Sequence, residues 1–261
     1  MDLGLKGSVV IVTGGGEGIG RATATSLAHE GARVAICGRR EHVIRAAAEA
    51  IANETGGEVL PLVCDVDDES QVRAMVDAVV QHWGRLDGLV NNAGTSNAAP
   101  FESVTDESWT GDVQTKVYGA IYCSRAAIPH MKAAGGGRIV NITTAAGKAP
   151  GARSLPTSLA RAAGIALTKA MSRDLAQDNI LVNTVCIGAI KSGQHERSFE
   201  RNPRGAETIE DFYANMGRGV PLGRVGEGSE AGDVICFLLS QRASYITGTA
   251  MNIDGGSSPV V

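Results

Sequence analysis

Short apolar runs separated by longer, alanine-rich stretches set the rhythm of this chain. Residues 8–13 (SVVIVT), 33–38 (RVAICG), 57–65 (GEVLPLVCD), 86–94 (LDGLVNNAG), 137–143 (GRIVNIT) and 179–188 (NILVNTVCIG) read as strands. They are apolar without alternation, as strands covered on both faces are. Helical patterns fall near 18–30, 41–55, 68–83, 106–134 and 156–178, and a last helix near 227–241 precedes a final strand in TAMNIDGG. This alternation predicts a single-domain α/β fold, a doubly wound parallel sheet with helices on both faces, spanning 1–261. Residues 191–222 break the rhythm with a polar, charged and partly helical stretch. It follows the C-terminal end of a strand, where open α/β sheets bind ligands, so a substrate lid is expected there.

Composition narrows the class. Hydrophobic residues make up 43% and charged residues 20% of 261 positions, ordinary for a globular domain large enough to need no disulfide staples. A net charge of −4 and 4% aromatics argue against nucleic acid or an anionic membrane as partner. Five widely spaced cysteines inside apolar runs read as reduced core thiols, which fits a cytoplasmic protein. An apolar strand from residue 8 leaves no room for a charged-then-apolar leader, and no apolar run reaches membrane-spanning length. No histidine, cysteine or carboxylate cluster has metal-ligand spacing, so no metal is expected.

The segment VTGGGEGIG (12–20) puts Gly14, Gly18 and Gly20 between the first strand and the first helix. Glycines there permit a tight turn and let backbone N–H groups approach a pyrophosphate at the helix N-terminus. The Gly-x-x-x-Gly-x-Gly spacing resembles the short-chain dehydrogenase/reductase family. The resemblance continues through CDV (64–66), NNAG (91–94), GRIVNIT and the C-terminal third from VPLGRV to NIDGG. It implies a Rossmann-type fold, a small-molecule substrate, and a homotetramer built partly through two long helices. It also implies a dinucleotide held by Gly14, Gly18, Ile19, Gly20, Asp65, Val66, Asn92, Ala93, Gly94 and the residue at 161. NADP is expected over NAD: ICGRR (36–40) lacks the acidic residue that would bind a 2′-hydroxyl, and Arg39 or Arg40 suits a 2′-phosphate. Glu17 pulls the other way, unless it pairs with Arg39 or Arg40.

The same resemblance places a serine, a tyrosine thirteen residues on, a lysine four beyond, and a helical asparagine at the active centre. Here those places hold Thr144, Thr157, Arg161 and Lys116. A threonine at 144 still orients an oxygen. Thr157, shorter and far more basic than a phenol, is not expected to replace the tyrosine by itself, and Arg161 can hold ribose hydroxyls but stays protonated and cannot relay a proton. Three classes therefore stay open: an NAD(P)-dependent oxidoreductase with a non-standard centre, a non-redox enzyme such as a lyase, hydratase or hydrolase, and a silent binding subunit. Lys116 and Arg161 are expected within several ångströms of each other, lowering the Lys116 pKa. The alternative is that Lys116 swings to solvent or pairs with Asp112, one helical turn earlier, and does nothing chemical. Lys191, Ser192, His195 and Tyr213 are the lid residues expected to reach a ligand.

Overall fold

The computed structural model describes residues 2–261. Seven strands are present: β1 (Val9–Thr13), β2 (Arg33–Gly38), β3 (Val59–Val63), β4 (Gly88–Asn91), β5 (Gly137–Thr144), β6 (Ile180–Ile187) and β7 (Ala250–Ile253). They form one sheet in the order β3-β2-β1-β4-β5-β6-β7, and every pairing is parallel. The chain winds outward from β1 in one direction and from β4 in the other. That reversal opens a crevice at the C-terminal ends of β1 and β4.

Among the described residues nine α-helices connect the strands: α1 (Gly18–His29), α2 (Glu41–Thr55), α3 (Glu69–Trp83), α4 (Asp106–Val113), α5 (Gly119–Ala133), α6 (Thr157–Asp174), α7 (Gly193–Arg201), α8 (Ile209–Gly217) and α9 (Gly228–Leu239). The unbroken apolarity of the strands has a direct cause. Val10 and Val12 enter one core with Leu27 of α1 and Ile235 of α9, while Val9 and Ile11 enter the opposite core with Val76 of α3 and Cys123 of α5. Successive side chains alternate between faces, and both faces are dry. The single-domain doubly wound fold expected from the pattern is the fold observed.

The differences are local. The strands expected over 57–65 and 86–94 are shorter, because their polar ends leave the sheet to line the crevice. The stretch 106–134 is not one regular helix. Between α4 and α5, residues Gln114–Tyr118 form a single π-helical segment, a widened turn of the kind that concentrates at functional sites. Residues 191–222 contain α7 and α8 around a small apolar nucleus of Phe212, Tyr213 and Val225.

Candidate active site

A cavity of about 670 Å³ occupies the crevice and extends from β2 past β4 and β5 to α7. Its first wall is the glycine-rich turn. Thr13, at the end of β1, accepts hydrogen bonds at Oγ1 from the backbone N–H groups of Asn92 and Ala93, at 2.9 and 3.0 Å. Asn92 Nδ2 donates in return to the carbonyl of Thr13 at 2.9 Å. These bonds lock the turn after β1 to the loop after β4. A Cβ at Gly20 would lie 2.3 Å from the Gly14 carbonyl oxygen and 2.5 Å from Asn92 Nδ2, so only glycine lets α1 approach this closely. The first N–H groups of α1 have no partner within the helix and open on the cavity, and the cap residue Glu17 makes no capping bond to them.

Gly14, Gly18, Ile19, Arg39, Asp65, Val66, Asn92, Ala93 and Gly94 line this cavity; Gly20 packs just behind it. The residues expected to hold a dinucleotide are thus gathered along one continuous trough. The orphaned helix N–H groups suit a pyrophosphate.

At the β2 end the charges are paired. Glu17 accepts from Arg40 at 3.0 Å and from Arg197 of α7 at 2.7 Å, while Arg39 stands 4.0 Å from Asp65. Of the two partners expected for Glu17, Arg40 is the one observed, and Arg197 is an addition that nothing in the local sequence announces. Partial burial would raise the Glu17 carboxyl, but the hydrogen bonds from Arg197 and Arg40 prevail and hold it below its ordinary range.

At the other end, Thr144, Thr157, Arg161 and Lys116 line the same cavity. The last three are buried, and the Thr144 hydroxyl oxygen is buried without any partner. Lys116 lies in the π-helical segment and donates from Nζ to Asp112 Oδ1, in a very short contact, and to Thr157 Oγ1 at 3.2 Å. Asn97 joins both: its backbone N–H donates to Thr157 Oγ1 at 2.9 Å and its Nδ2 to Asp112 Oδ1 at 2.9 Å. Arg161 donates from Nη1 to the Ile142 carbonyl at 2.5 Å, and its Nε has no partner. Gly94 marks where the two cations converge, since a Cβ there would sit 3.1 Å from Lys116 Cγ and 3.5 Å from Arg161 Nη2.

The Asp112 pairing and the nearness of Arg161 therefore occur together. Lys116 pairs with Asp112, and its pKa still falls to about 8, because burial outweighs the Asp112 hydrogen bond and Arg161 adds a repelling charge. Burial also lowers Arg161, to about 10. Asn97 was not anticipated as a site residue; its place in the polar loop NAGTSNAAP was the available signal.

The 191–222 segment contributes one stretch of the cavity wall, from Ser192 to Arg197. Ser192 and His195 line it, whereas Lys191 pairs with Glu227 and lies 5.6 Å above the Tyr213 ring, which keeps both of those side chains off the cavity wall. Gln194 Oε1 accepts from the Ser96 N–H at 2.9 Å, a second tie across the crevice. No group of three or more potential ligands among the described residues could hold a metal ion, and no helix among them is long and apolar enough to cross a membrane.

Known proteins resemble the whole chain. The family model described as enoyl-(acyl carrier protein) reductase matches residues 14–258. A 3-oxoacyl-(acyl-carrier-protein) reductase of Thermotoga maritima is 35% identical over 97% of this chain and 98% of that protein. The L-sorbose reductase of Gluconobacter frateurii, solved with NADPH and L-sorbose, superposes over 100% of both chains with a TM-score of 0.95 at 29% identity. A short-chain oxidoreductase of Pseudomonas aeruginosa, solved with NADPH and described as containing an atypical catalytic centre, is 35% identical, covers 97% of this chain and 98% of its own, and has a TM-score of 0.90. With a matching family model across the trough and relatives aligned end to end, this chain belongs to the short-chain dehydrogenase/reductase family.

Proposed function

We propose that this protein is an NADP(H)-dependent oxidoreductase that interconverts a small carbonyl compound and its alcohol at a centre of non-standard composition. The observation that carries the reading is the single cavity joining the glycine-rich trough to a buried, hydrogen-bonded Lys116–Thr157 pair. The NADPH found in two of the structural relatives supports the cofactor, as does the presence of Arg39 and Arg40 at the end of the trough. Gly14, Gly18, Ile19 and Gly20 would hold the pyrophosphate, Asp65 and Val66 the adenine, and Asn92, Ala93, Gly94 and Arg161 the nicotinamide half. The bound nicotinamide supplies hydride chemistry.

The chain's own residues supply the proton and the orientation. Thr157 Oγ1 already accepts two hydrogen bonds, from Lys116 and from the Asn97 N–H. A hydroxyl has two acceptor positions and one donor, so the Thr157 hydrogen is the valence left for a substrate oxygen. In the reducing direction Thr157 gives that hydrogen to the substrate and takes another from Lys116 Nζ. Thr144, whose hydroxyl lacks any partner within the protein, orients the same oxygen. Lys116 suits the task because its pKa is near neutrality and Asp112 holds its ammonium in place. The segment 191–222 serves as the lid that excludes water.

A homotetramer would give cover to the exposed Phe101, Tyr118 and Leu159, and a cytoplasmic location fits the five free, buried cysteines. The function is tested by offering 3-oxoacyl thioesters and simple ketones with nucleotide deuterated at the transferring carbon. Deuterium in the alcohol product supports hydride transfer; nucleotide that binds but never delivers deuterium to any carbonyl compound overturns it.

A further inference from the structure

We propose that Arg197, from the lid helix α7, sets the cofactor preference by neutralising Glu17 and so freeing Arg40 for a 2′-phosphate. The proposal rests on the NADP(H) reading above and goes beyond it to the residue that produces the preference.

Glu17, Arg39, Arg40, Asp65 and Arg197 all line the same end of the trough. Without α7, two arginines face two carboxylates there: Arg40 against Glu17 at 3.0 Å and Arg39 near Asp65 at 4.0 Å. Such a cluster carries no excess positive charge, and a phosphate dianion entering it would meet the Glu17 carboxylate directly. Arg197 changes the balance. Its Nη1 donates to Glu17 Oε2 at 2.7 Å, leaving Oε1 to Arg40, so the carboxylate is shared and the cluster gains one positive charge. The contact is tight in the chain as well as at the side chains. A Cβ at Gly193 would lie 3.0 Å from Glu17 Oε2, and one at Gly18 would lie 3.2 Å from Ser192 Cβ. The first turn of α7 therefore rests on the glycine-rich turn itself.

Two consequences follow. A 2′-phosphate draws Arg40 away from Glu17, and Glu17 then leans wholly on Arg197, so NADPH holds the lid down more firmly than NADH does. By reciprocity, a lid held down raises NADPH affinity without helping NADH. The five side chains are 35–74% exposed, so the effect is moderate and screened by salt.

The experiment measures dissociation constants of NADPH and NADH by fluorescence titration at low ionic strength for wild type, Arg197→Met, Arg197→Lys, Glu17→Gln and the double variant. Arg197→Met should weaken NADPH roughly threefold to fivefold, the upper scale of one partly exposed charge, and leave NADH unchanged within about 1.5-fold. Arg197→Lys should restore most of the loss. Glu17→Gln should tighten NADPH, and in that background Arg197→Met should do little. Equal weakening of both nucleotides, or no weakening of either, overturns the role of Arg197. Failure of wild type to bind either nucleotide would instead overturn the functional reading, so the two failures are distinct.

Discussion

Two ionic clusters stand at opposite ends of one cavity, and burial makes them different devices. At the trough end, Glu17 bridges Arg40 and Arg197 with all three side chains open to water. At the other end, Asp112 and Lys116 pair with side chains 0% and 2% exposed. Water screens the first cluster, so its members can exchange partners at small cost when a ligand arrives. The second has no water to fall back on. Each charge there depends on its partner, and the pair shifts a proton affinity more readily than it changes geometry. A charge network near solvent suits selection among ligands; a dry one suits holding a proton.

Breaking the dry pair should produce the largest effect. Asp112→Ala leaves the Lys116 ammonium buried without its counterion, and the variant should lose about 3–5 kcal/mol in chemical denaturation at neutral pH. The double variant Asp112→Leu with Lys116→Met should recover most of that loss, because a hydrophobic pair of similar volume avoids the desolvation of both charges. A double variant no more stable than Asp112→Ala would show that the pair stabilises the fold beyond satisfying itself.

Next in size is a pH effect with a definite sign. The folded protein lowers Lys116 from 10.5 to about 8. Between those values the unfolded chain binds the proton that the folded chain has released. Stability relative to a Lys116→Met control should therefore rise from about pH 8 to pH 10.5, by about 3 kcal/mol, and be flat below that window. A relative stability that falls across the same window would mean the folded state raises this pKa.

The wet cluster should give the smallest response. Glu17→Gln should change stability by less than about 1 kcal/mol, and the difference should fade as salt is added. A larger, salt-insensitive loss would show that the trough cluster behaves like the dry pair.

The same contrast explains what was legible in the sequence. The sheet and the trough were readable because their signals are contiguous: β1 is a run of buried residues, and Gly14, Gly18 and Gly20 follow it within one turn. Thr144, Thr157, Arg161 and Lys116 were found by counting spacings against a family pattern, and they do line one cavity. The partners that give them chemistry were harder to see. Asp112 reaches Lys116 within one helix and was foreseen, but Asn97 reaches both Thr157 and Asp112 from a loop across the crevice. Arg197 meets Glu17 from 180 positions away, on a helix of another segment of the chain. No local periodicity encodes such contacts. The π-helical turn that carries Lys116 is hidden for the same reason, since its sequence reads as ordinary helix.

In the function proposed here, Lys116 supplies the proton through Thr157. The most direct measurement is the pH dependence of kcat/KM for NADPH-dependent reduction, in wild type and in Lys116→Arg, using whichever carbonyl compound the deuterium screen identifies. Arginine keeps the counterion of Asp112 but does not release a proton in this range. The wild-type rate should fall as pH rises through about 8, and Lys116→Arg should be slower by about two to four orders of magnitude with that limb gone. A variant of near wild-type rate, or one that keeps the same limb, would contradict that role of Lys116.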